Sequence, residues 1–412
     1  MKKTFLCILA SMLLFSCQSD DSTPTPDPTS EPNERVDIPL SRSELEMTEV
    51  GNEFAFEFFK TIVAGEKKEN LFVSPLSASI ALSMCTNGAA NETLEEMKAT
   101  LGFKDYSLDE MNAYYKKLVE GLLAVDNTTT LGIANSIWIR SGFNVKQPFI
   151  DLNKDVYDAE VRTLDFNSQA VAAINQWCSD KTNKRIPEVL EEISPNMMLF
   201  LINALYFKGT WTSEFDKSNT AKEDFTTTSG QKQKVDLMHQ VCQTPYVKDN
   251  GLQIVELPYG NQAFSMIVLL PEESSSINDA IQQLTAENWN KWMKALYTNP
   301  VDIKLPKFKL EYERDLKEDL QKMGMVLPFS EETANFSNMT SDRLFIGLVK
   351  QNTFVEVNEE GTEAAAVTII GGEVTSAGDD HTVYVHVNRP FIYAIKEKST
   401  GAILFMGKMG SL

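Results

Sequence analysis

Three histidines, His239, His381 and His386, are the side chains of this 412-residue chain best suited to general-base or metal chemistry. His381 and His386 lie five positions apart in sequence typical of a β-strand, so their side chains are expected on opposite faces and cannot bind one metal ion together. The chain has no GxSxG, HExxH or phosphate-binding glycine motif. We therefore predict no catalytic residue, no metal site and no cofactor. A triad assembled from distant residues stays open as the alternative.

Residues 354–368, FVEVNEEGTEAAAVT, indicate chemistry of another kind, that of a segment which changes conformation. Its Glu and Ala residues favour a helix, whereas the Val and Thr residues on either side favour a strand. A segment that is a loop in one state and a strand in another needs this ambivalence. The small side chains after Gly361 would also let it enter a packed sheet without overpacking. Judged alone, the stretch is equally consistent with a surface helix capped by Thr362.

The N-terminus has the pattern of an export signal. Lys2 and Lys3 precede an apolar run, residues 5–15, that is too short to span a bilayer. The run ends in Leu-Phe-Ser-Cys, which resembles a bacterial lipobox, so we predict a lipoprotein signal peptide of residues 1–16 and lipidation of Cys17. A plain secretory signal is the alternative, and both interpretations export the protein.

A polar, proline-rich stretch follows the signal, and residues 17–44 are predicted to form a disordered tether. The Ser-Asp-Asp cluster at residues 19–21 resembles signals that send lipoproteins to the outer face of Bacteroides-like cells, which predicts an outer-membrane protein facing the cell exterior. Residues 45–412 have an even globular composition without a second linker or an internal repeat, so we predict a single domain there.

Charge and cysteine content narrow the classes of partner and site. The net charge of −20 becomes −22 when Lys2 and Lys3 leave with the signal peptide, because two positive charges are removed. Such an acidic protein is not attracted to nucleic acid, and no basic stripe favours a heparin-type polyanion. Cys85, Cys178 and Cys242 are far apart, odd in number and without metal-ligand spacing. They are predicted to be unpaired, with a disulfide between two of them left open.

The first half of the chain has mainly helical patterns. Helices are predicted over residues 53–62, 76–84 and 171–184, the second because Ser74-Pro75 is a helix start signal. The second half shows short apolar or alternating runs bounded by Gly, Pro or Asn, which are typical of strands. These predicted strands are residues 199–207, 253–257, 264–270, 301–306, 382–387, 391–397 and 402–407. Helices followed by strands with long connections predict an α+β domain with mostly antiparallel sheets.

Short motifs spread over residues 48–411 together resemble the serpin family of serine protease inhibitors. Besides residues 354–368, they are NLFVSPLS at 70–77, NALYFKGTW at 203–211, LPY at 257–259, LPKF at 305–308, VNRPF at 387–391 and GKM at 407–409. The resemblance implies the serpin fold, with three β-sheets, eight or nine helices and an exposed reactive loop. It also implies a monomer whose partners are serine proteases.

The inhibitors of this family are suicide substrates, and the resemblance implies the same mechanism here. A serine protease cleaves the loop and forms its acyl-enzyme, and the loop then inserts as a new central strand of the large sheet before water releases the protease. About fifteen strand residues at about 3.3 Å each imply a displacement of about 50 Å. Strain stored in the native fold supplies the driving force. A serpin-fold binding protein that does not inhibit is the alternative.

The resemblance places the hinge of the loop at Gly361, where sharp backbone rotation needs a residue without a side chain. The predicted hinge residues are Glu359, Gly361, Thr362, Glu363, Ala364, Ala365 and Ala366. On insertion, the family pattern turns alternate side chains inward, namely Thr362, Ala364, Ala366, Thr368 and Ile370. Every inward residue is small or uncharged, which predicts an inhibitor.

Five further residues match the polar cluster beneath the opening sheet and the point where the loop enters it. Ser74, Ser77 and Asn203 match the cluster, and Trp211 matches the tryptophan near the point of insertion. Ordinary helix capping by Ser74, a strand-end hydrogen bond of Asn203 and aromatic packing of Trp211 are the alternatives. Gln351 stands where the family usually has a histidine; its amide can donate and accept hydrogen bonds but does not titrate near neutral pH.

The scissile bond is predicted between Val374 and Thr375 or between Thr375 and Ser376, by counting along the family pattern from Gly361. Residues 362–381 contain no Arg or Lys, which argues against trypsin-like targets, and no Phe, Tyr or Trp, which argues against chymotrypsin-like ones. A small aliphatic residue suits a shallow pocket, because a larger pocket would be left underfilled. The expected partners are therefore elastase-like serine proteases held as covalent acyl complexes.

Overall fold

The computed structural model of the protein describes residues 32–362 and 382–412. The predicted signal peptide, Cys17 and the tether up to residue 31 lie outside these ranges, as does most of the predicted reactive loop. Within the described ranges, none of the helices is both long and apolar enough to span a membrane.

Nine α-helices occur in the described ranges, in agreement with the predicted eight or nine. They are α1 (Arg42–Gly65), α2 (Pro75–Thr86), α3 (Asn91–Thr100), α4 (Leu108–Ala124), α5 (Gln147–Tyr157), α6 (Ser168–Lys181), α7 (Ile277–Gln282), α8 (Ala286–Ala295) and α9 (Lys317–Lys322). The predicted helices 53–62 and 76–84 lie within α1 and α2, and the predicted helix 171–184 overlaps α6, which already ends at Lys181. Helix α6 begins three residues earlier than predicted because the Asn167 side chain accepts hydrogen bonds from the first-turn amides of Gln169 and Ala170.

The ordered fold begins before residue 45, so the predicted tether is too long at its C-terminal end. Ser41 and Glu44 form a capping box that starts α1 at Arg42. Upstream of it, Ile38 is buried against α4, where it packs over Gly121. Asn33 exchanges two hydrogen bonds with Asn127, each side-chain oxygen accepting from the other backbone amide, at 3.0 and 2.9 Å. These contacts fix the segment to the domain from about residue 33.

Fifteen strands in the described ranges form two hydrogen-bonded sheets. The larger, with nine strands, has the order β1-β15-β14-β8-β7-β6-β9-β13, and β5 pairs with β6; the smaller, with six strands, has the order β10-β11-β12-β4-β2-β3. The strands are β1 (Leu71–Val73), β2 (Thr130–Arg140), β3 (Ala159–Leu164), β4 (Leu199–Thr210), β5 (Ala221–Thr226), β6 (Lys232–Asp249), β7 (Leu252–Tyr259), β8 (Phe264–Pro271), β9 (Tyr297–Pro306), β10 (Phe308–Asp315), β11 (Lys350–Val357), β12 (Gly361–Thr362), β13 (Val383–His386), β14 (Phe391–Glu397) and β15 (Ile403–Met409).

The resemblance implies three sheets, whereas the structure has two. The difference arises because the long strand β6 joins two parts of the larger sheet into one ladder. Residues 237–246 of β6 pair with β9, and residues 246–249 pair with β7. The ladder is therefore continuous through β6. Each of the seven predicted strands corresponds to an observed one, and the predicted α+β class is confirmed.

The core lies between the larger sheet and helices α1 and α2. Strands β8 and β14 are buried at every residue, and eleven of the twelve residues of α2 are buried. A helix buried on nearly all sides must lie inside the domain. Because α2 packs against both β15 of the larger sheet and β4 of the smaller one, it carries Ser74 and Ser77 into the space between them.

Candidate functional site

The six-stranded sheet has a gap between β4 and β11. The outer edge of β4 is paired with β2 over ten residues, and the outer edge of β11 is paired with β10 over eight. Between them lies only β12, whose two residues form a ladder with Thr210 and Gly209 on one side and Val357 on the other. Beyond β12, no ladder in the described ranges joins β4 to β11 directly. The facing edges of these two strands can therefore accept a further strand.

A cavity of about 120 Å³ lies in this gap. It is lined by residues 199–204 of β4, by residues 344–352, and by side chains of α2 and α6, including Ser77. The side-chain oxygens of Asn203 and Asn352 are buried in its wall and have no hydrogen-bond partner among the residues that the structure describes. An unpaired buried acceptor costs about 1–3 kcal/mol. A strand entering the gap could supply the missing donors. These two oxygens would then be hydrogen-bonded.

Glu359 anchors the chain just before β12, at the end of the gap that β12 occupies; this end is called the upper end below. Its buried carboxylate accepts hydrogen bonds from Lys307 Nζ at 3.0 Å and Thr220 Oγ1 at 2.8 Å. Burial raises the pKa of Glu359, but these hydrogen bonds outweigh burial and hold its pKa below the ordinary value. The carboxylate is therefore ionised at neutral pH. Next to it, Glu360 pairs with Lys217.

Trp211 contacts the chain just before β12. Its Nε1 donates to the carbonyl oxygen of Asn358 at 3.0 Å, and its backbone N–H donates to that of Glu360 at 2.8 Å. Its ring stacks on Tyr259 with centroids 4.4 Å apart. The predicted insertion-point residue is thus hydrogen-bonded to the chain on either side of Glu359, immediately before Gly361.

Gly361 and Thr362 are already in place between β4 and β11. Gly361 has φ +154°, and a Cβ at this position would lie 2.0 Å from the carbonyl oxygen of Gly209, so no other residue fits without a backbone shift. The Thr362 side chain is 2% exposed and hydrogen-bonds through Oγ1 to the Tyr259 hydroxyl at 2.6 Å. The side chain predicted to turn inward first therefore points into the structure.

Ser74, Ser77 and Gln351 meet beneath the sheet. Ser74 Oγ accepts from the Ser77 N–H at 3.1 Å and donates to the Leu404 carbonyl at 2.8 Å. The Gln351 amide binds both backbone groups of Ser74, accepting from N–H at 3.0 Å and donating to C=O at 2.8 Å. Asn203 lines the same cavity but donates to Asn135 instead. Gln351 thus replaces a histidine with an amide whose hydrogen bonds do not depend on pH near neutrality.

Several predicted site residues lie outside the described ranges. They are Glu363, Ala364, Ala365 and Ala366 of the hinge, and Val374, Thr375 and Ser376 of the candidate bonds. His381, which is not a predicted site residue, also lies outside these ranges. Conversely, the sequence motifs LPKF and LPY contain Lys307 and Tyr259, but their contacts with Glu359 and Thr362 were not predicted.

The remaining histidines share one carboxylate partner, and the cysteines are unpaired in the described ranges. His239 on β6 and His386 on β13 both place Nε2 near Asp302 Oδ1 of β9, at 3.0 and 3.1 Å. In the part of the chain that the structure describes, no three His, Cys, Asp or Glu side chains are arranged to hold a metal ion. The three cysteines predicted to be unpaired are free there, and burial raises the pKa of Cys85 and Cys178 to about 12, which leaves their thiols unreactive.

Comparison with known proteins decides the family. The family model described as "Serpin (serine protease inhibitor)" matches residues 49–411. The chain belongs to the serpin family. Among serpin relatives, the "Leukocyte elastase inhibitor" of Xenopus laevis is 34% identical over 371 residues, which cover 87% of this chain and 97% of the relative.

Solved serpin structures share the fold over nearly the whole domain. The native state of tengpin, a thermophilic serpin, superposes with a TM-score of 0.83 at 34% identity, covering 93% of this chain and 98% of tengpin. Thyroxine-binding globulin in complex with thyroxine gives a TM-score of 0.80 at 28% identity, covering 89% and 99%. Because the serpin fold serves both named inhibitors and a named binding protein, function must be argued from this chain's own gap and hinge.

Proposed function

We propose that this serpin inhibits serine proteases as a suicide substrate. The protease cleaves the loop of residues 363–381, and the loop then inserts between β4 and β11 before the acyl-enzyme is hydrolysed. The observation that supports the proposal most strongly is β12, a two-residue strand already paired with both walls of the gap. A strand begun in this way needs only to be extended, so the costly first pairing is already made.

The register of β12 predicts where each inserted residue would lie. Thr362 pairs with Gly209 on β4 and with Val357 on β11, and both pairings are antiparallel. Six residues further along the loop and six residues back on each wall, Thr368 would face Asn203 and Gln351. Its hydroxyl would then approach the unpaired Asn203 oxygen. Alternate side chains point the same way in a strand, so the other inward residues would be Ala364, Ala366 and Ile370, all uncharged.

The composition of the loop supports an elastase-like target. Val374 and Thr375 precede the two candidate bonds, and both side chains are small enough for a shallow pocket. The similarity to a relative named as an elastase inhibitor supports the same class of protease. The second candidate function is that of a non-inhibitory binding protein. The structural similarity to thyroxine-binding globulin favours this alternative.

Mixing the protein with pancreatic elastase tests the proposal. We expect a covalent complex that survives boiling in SDS, and mass spectrometry of the released loop peptide should place the cut at Val374 or Thr375. Elastase whose active-site serine has been chemically blocked is the matched control and should give no complex. Complete cleavage of the loop without any SDS-resistant complex would favour the non-inhibitory alternative.

We further propose that the protein is exported and anchored by a lipid on Cys17, in the outer membrane and facing the cell exterior. The lipobox-like sequence and the polar stretch after it support this location. Substituting Cys17→Ala should move the protein from the membrane fraction to the soluble fraction while leaving elastase inhibition unchanged. Persistence of the variant in the membrane fraction would contradict lipidation at this residue.

A further inference from the structure

Asn33 attaches the N-terminal segment to the domain. Its backbone N–H donates to Asn127 Oδ1 at 3.0 Å, and its Oδ1 accepts from the Asn127 N–H at 2.9 Å and from Asn261 Nδ2 at 3.2 Å. Its Nδ2 donates to the Val125 carbonyl at 3.3 Å. Hydrogen bonds to two connections, α4–β2 and β7–β8, therefore fix the point at which the predicted tether reaches the domain.

This attachment point lies near the upper end of the gap. Asn261 follows Gly260, whose N–H donates to the Thr210 carbonyl at 2.9 Å, and Thr210 is the register partner of Gly361 in β12. Even with every contact in a straight line, Asn33 lies no more than about 27 Å from Gly361. Strand β4 extends about 36 Å from Thr210 to the opposite end of the gap. The tether and the predicted reactive loop therefore leave the domain at the same end.

The chain between the proposed lipid anchor and this point is short and rich in proline. From Cys17 to Asn33 it can reach at most about 58 Å, at about 3.6 Å per residue. Four of residues 17–32 are proline, and proline-rich chains extend by about 3.1 Å per residue, which corresponds to about 50 Å here. A lipid on Cys17 would therefore hold the loop-bearing end of the domain at about this distance from the membrane.

A bound serine protease needs a comparable space. A one-domain protease of about 250 residues has a radius of gyration of about 18 Å, and therefore a diameter of about 45 Å. It would dock on the loop of residues 363–381, which continues from Thr362 at the end of the domain that the anchor holds toward the membrane. The reach of the tether thus matches one protease diameter.

We propose that residues 17–32 are a spacer that lets a serine protease dock on a loop facing the membrane. The proposal rests on the proposed inhibitory function and lipid anchor, and it deepens both. A tether much shorter than one protease diameter would bring the membrane against the loop-bearing end and obstruct docking. Loop insertion then carries the protease toward the opposite end of the gap, away from the membrane. The spacer therefore affects the capture of the protease and not the later insertion.

The test compares a shortened tether in an anchored and a soluble form of the protein. Deleting residues 22–31 keeps Cys17 and the Ser-Asp-Asp cluster but leaves at most about 22 Å between Cys17 and Asn33. For lipidated protein in phosphatidylcholine vesicles, the deletion should lower the rate constant for association with pancreatic elastase by about tenfold. For Cys17→Ala protein in solution, the same deletion should leave this rate constant unchanged. The number of inhibitor molecules consumed for each elastase molecule inactivated should not change in either form.

A shuffled tether is the matched control for the deletion. Shuffling residues 22–31 keeps their number and composition, so this variant should associate with elastase as fast as the wild type on vesicles. The shortened variant should also unfold at the wild-type temperature, because the deletion leaves Asn33 and its hydrogen bonds in place.

Four results would overturn the proposal, and each identifies a different error. If the wild type forms no covalent complex with elastase, the inhibitory function is wrong. If Cys17→Ala protein stays in the membrane fraction, the lipid anchor is wrong. If both of these hold but the shortened and full-length tethers give equal association rates on vesicles, only the spacer is wrong. If the deletion slows the soluble form as much as the anchored form, the tether contacts the protease directly and does not act as a spacer.

Discussion

Replacing Thr362 with arginine should convert the protein from an inhibitor of elastase into a substrate without unfolding it. Thr362 is buried between β4 and β11 and hydrogen-bonds to the Tyr259 hydroxyl. A buried unpaired charge costs several kcal/mol, so arginine should be expelled from the gap and should block insertion at its first step. The rest of the core does not depend on this side chain, so the domain should stay folded.

The measurement for this variant is the number of inhibitor molecules consumed for each elastase molecule inactivated. Since about 1.4 kcal/mol corresponds to a factor of ten, we expect Thr362→Arg to raise this number by at least about tenfold. Thr362→Ser keeps the hydroxyl and is the matched control, expected to behave like the wild type. If Thr362→Arg forms the covalent complex as well as the wild type does, the insertion mechanism is wrong.

Gly361→Ala should displace β12 and weaken inhibition even though it adds only a methyl group. The new Cβ would lie 2.0 Å from the Gly209 carbonyl oxygen and 2.7 Å from Thr210 Cα. Both are backbone atoms, which cannot move aside as a flexible side chain would. The residue must therefore withdraw from β4, which also breaks the pairing of Thr362. We expect a lower unfolding temperature and a slower formation of the covalent complex.

A second variant, Gly142→Ala, separates the effect of the Cβ clash at Gly361 from the effect of a positive φ alone. Gly142 also has a positive φ, +85°, but a Cβ there would meet nothing within 4 Å. It therefore reports only the cost of the conformation, about 1 kcal/mol. Gly361→Ala should unfold at a clearly lower temperature than Gly142→Ala in parallel thermal melts. Equal unfolding temperatures and equal inhibition would show that β12 is not held tightly against β4.

The parts of the fold that could be predicted from sequence are those specified locally. The start of α2 follows from Ser74-Pro75, since the serine caps the helix and proline suits its first position. Strand β14 follows from seven apolar or alternating residues. Strand β6 was missed because its charged residues and Pro245 obscure the alternation, and tertiary pairing with β9 keeps it extended. The early start of α1 was missed although the Ser41 and Glu44 capping signal was present.

The candidate site was predictable only in part, for a similar reason. Gly361 and Thr362 could be singled out because residues 354–368 resemble the hinge segment of the family. Their partners could not, because Lys307 lies 52 residues from Glu359, and Tyr259 lies 103 residues from Thr362. The gap between β4 and β11 is a place where the two strands are not paired with each other. The absence of pairing leaves no pattern in the sequence of either strand. The structure was needed to show that β12 already occupies its upper end.

The unfolding temperature of the loop-cleaved protein tests the central claim most directly. If the cleaved loop inserts, about fifteen residues gain a full set of strand hydrogen bonds and bury their alternate side chains between β4 and β11. A gain on the order of 10 kcal/mol would follow from the buried apolar area. Cleavage is therefore expected to raise the unfolding temperature by roughly 10 °C or more. An unfolding temperature that stays the same after complete cleavage of the loop would contradict it.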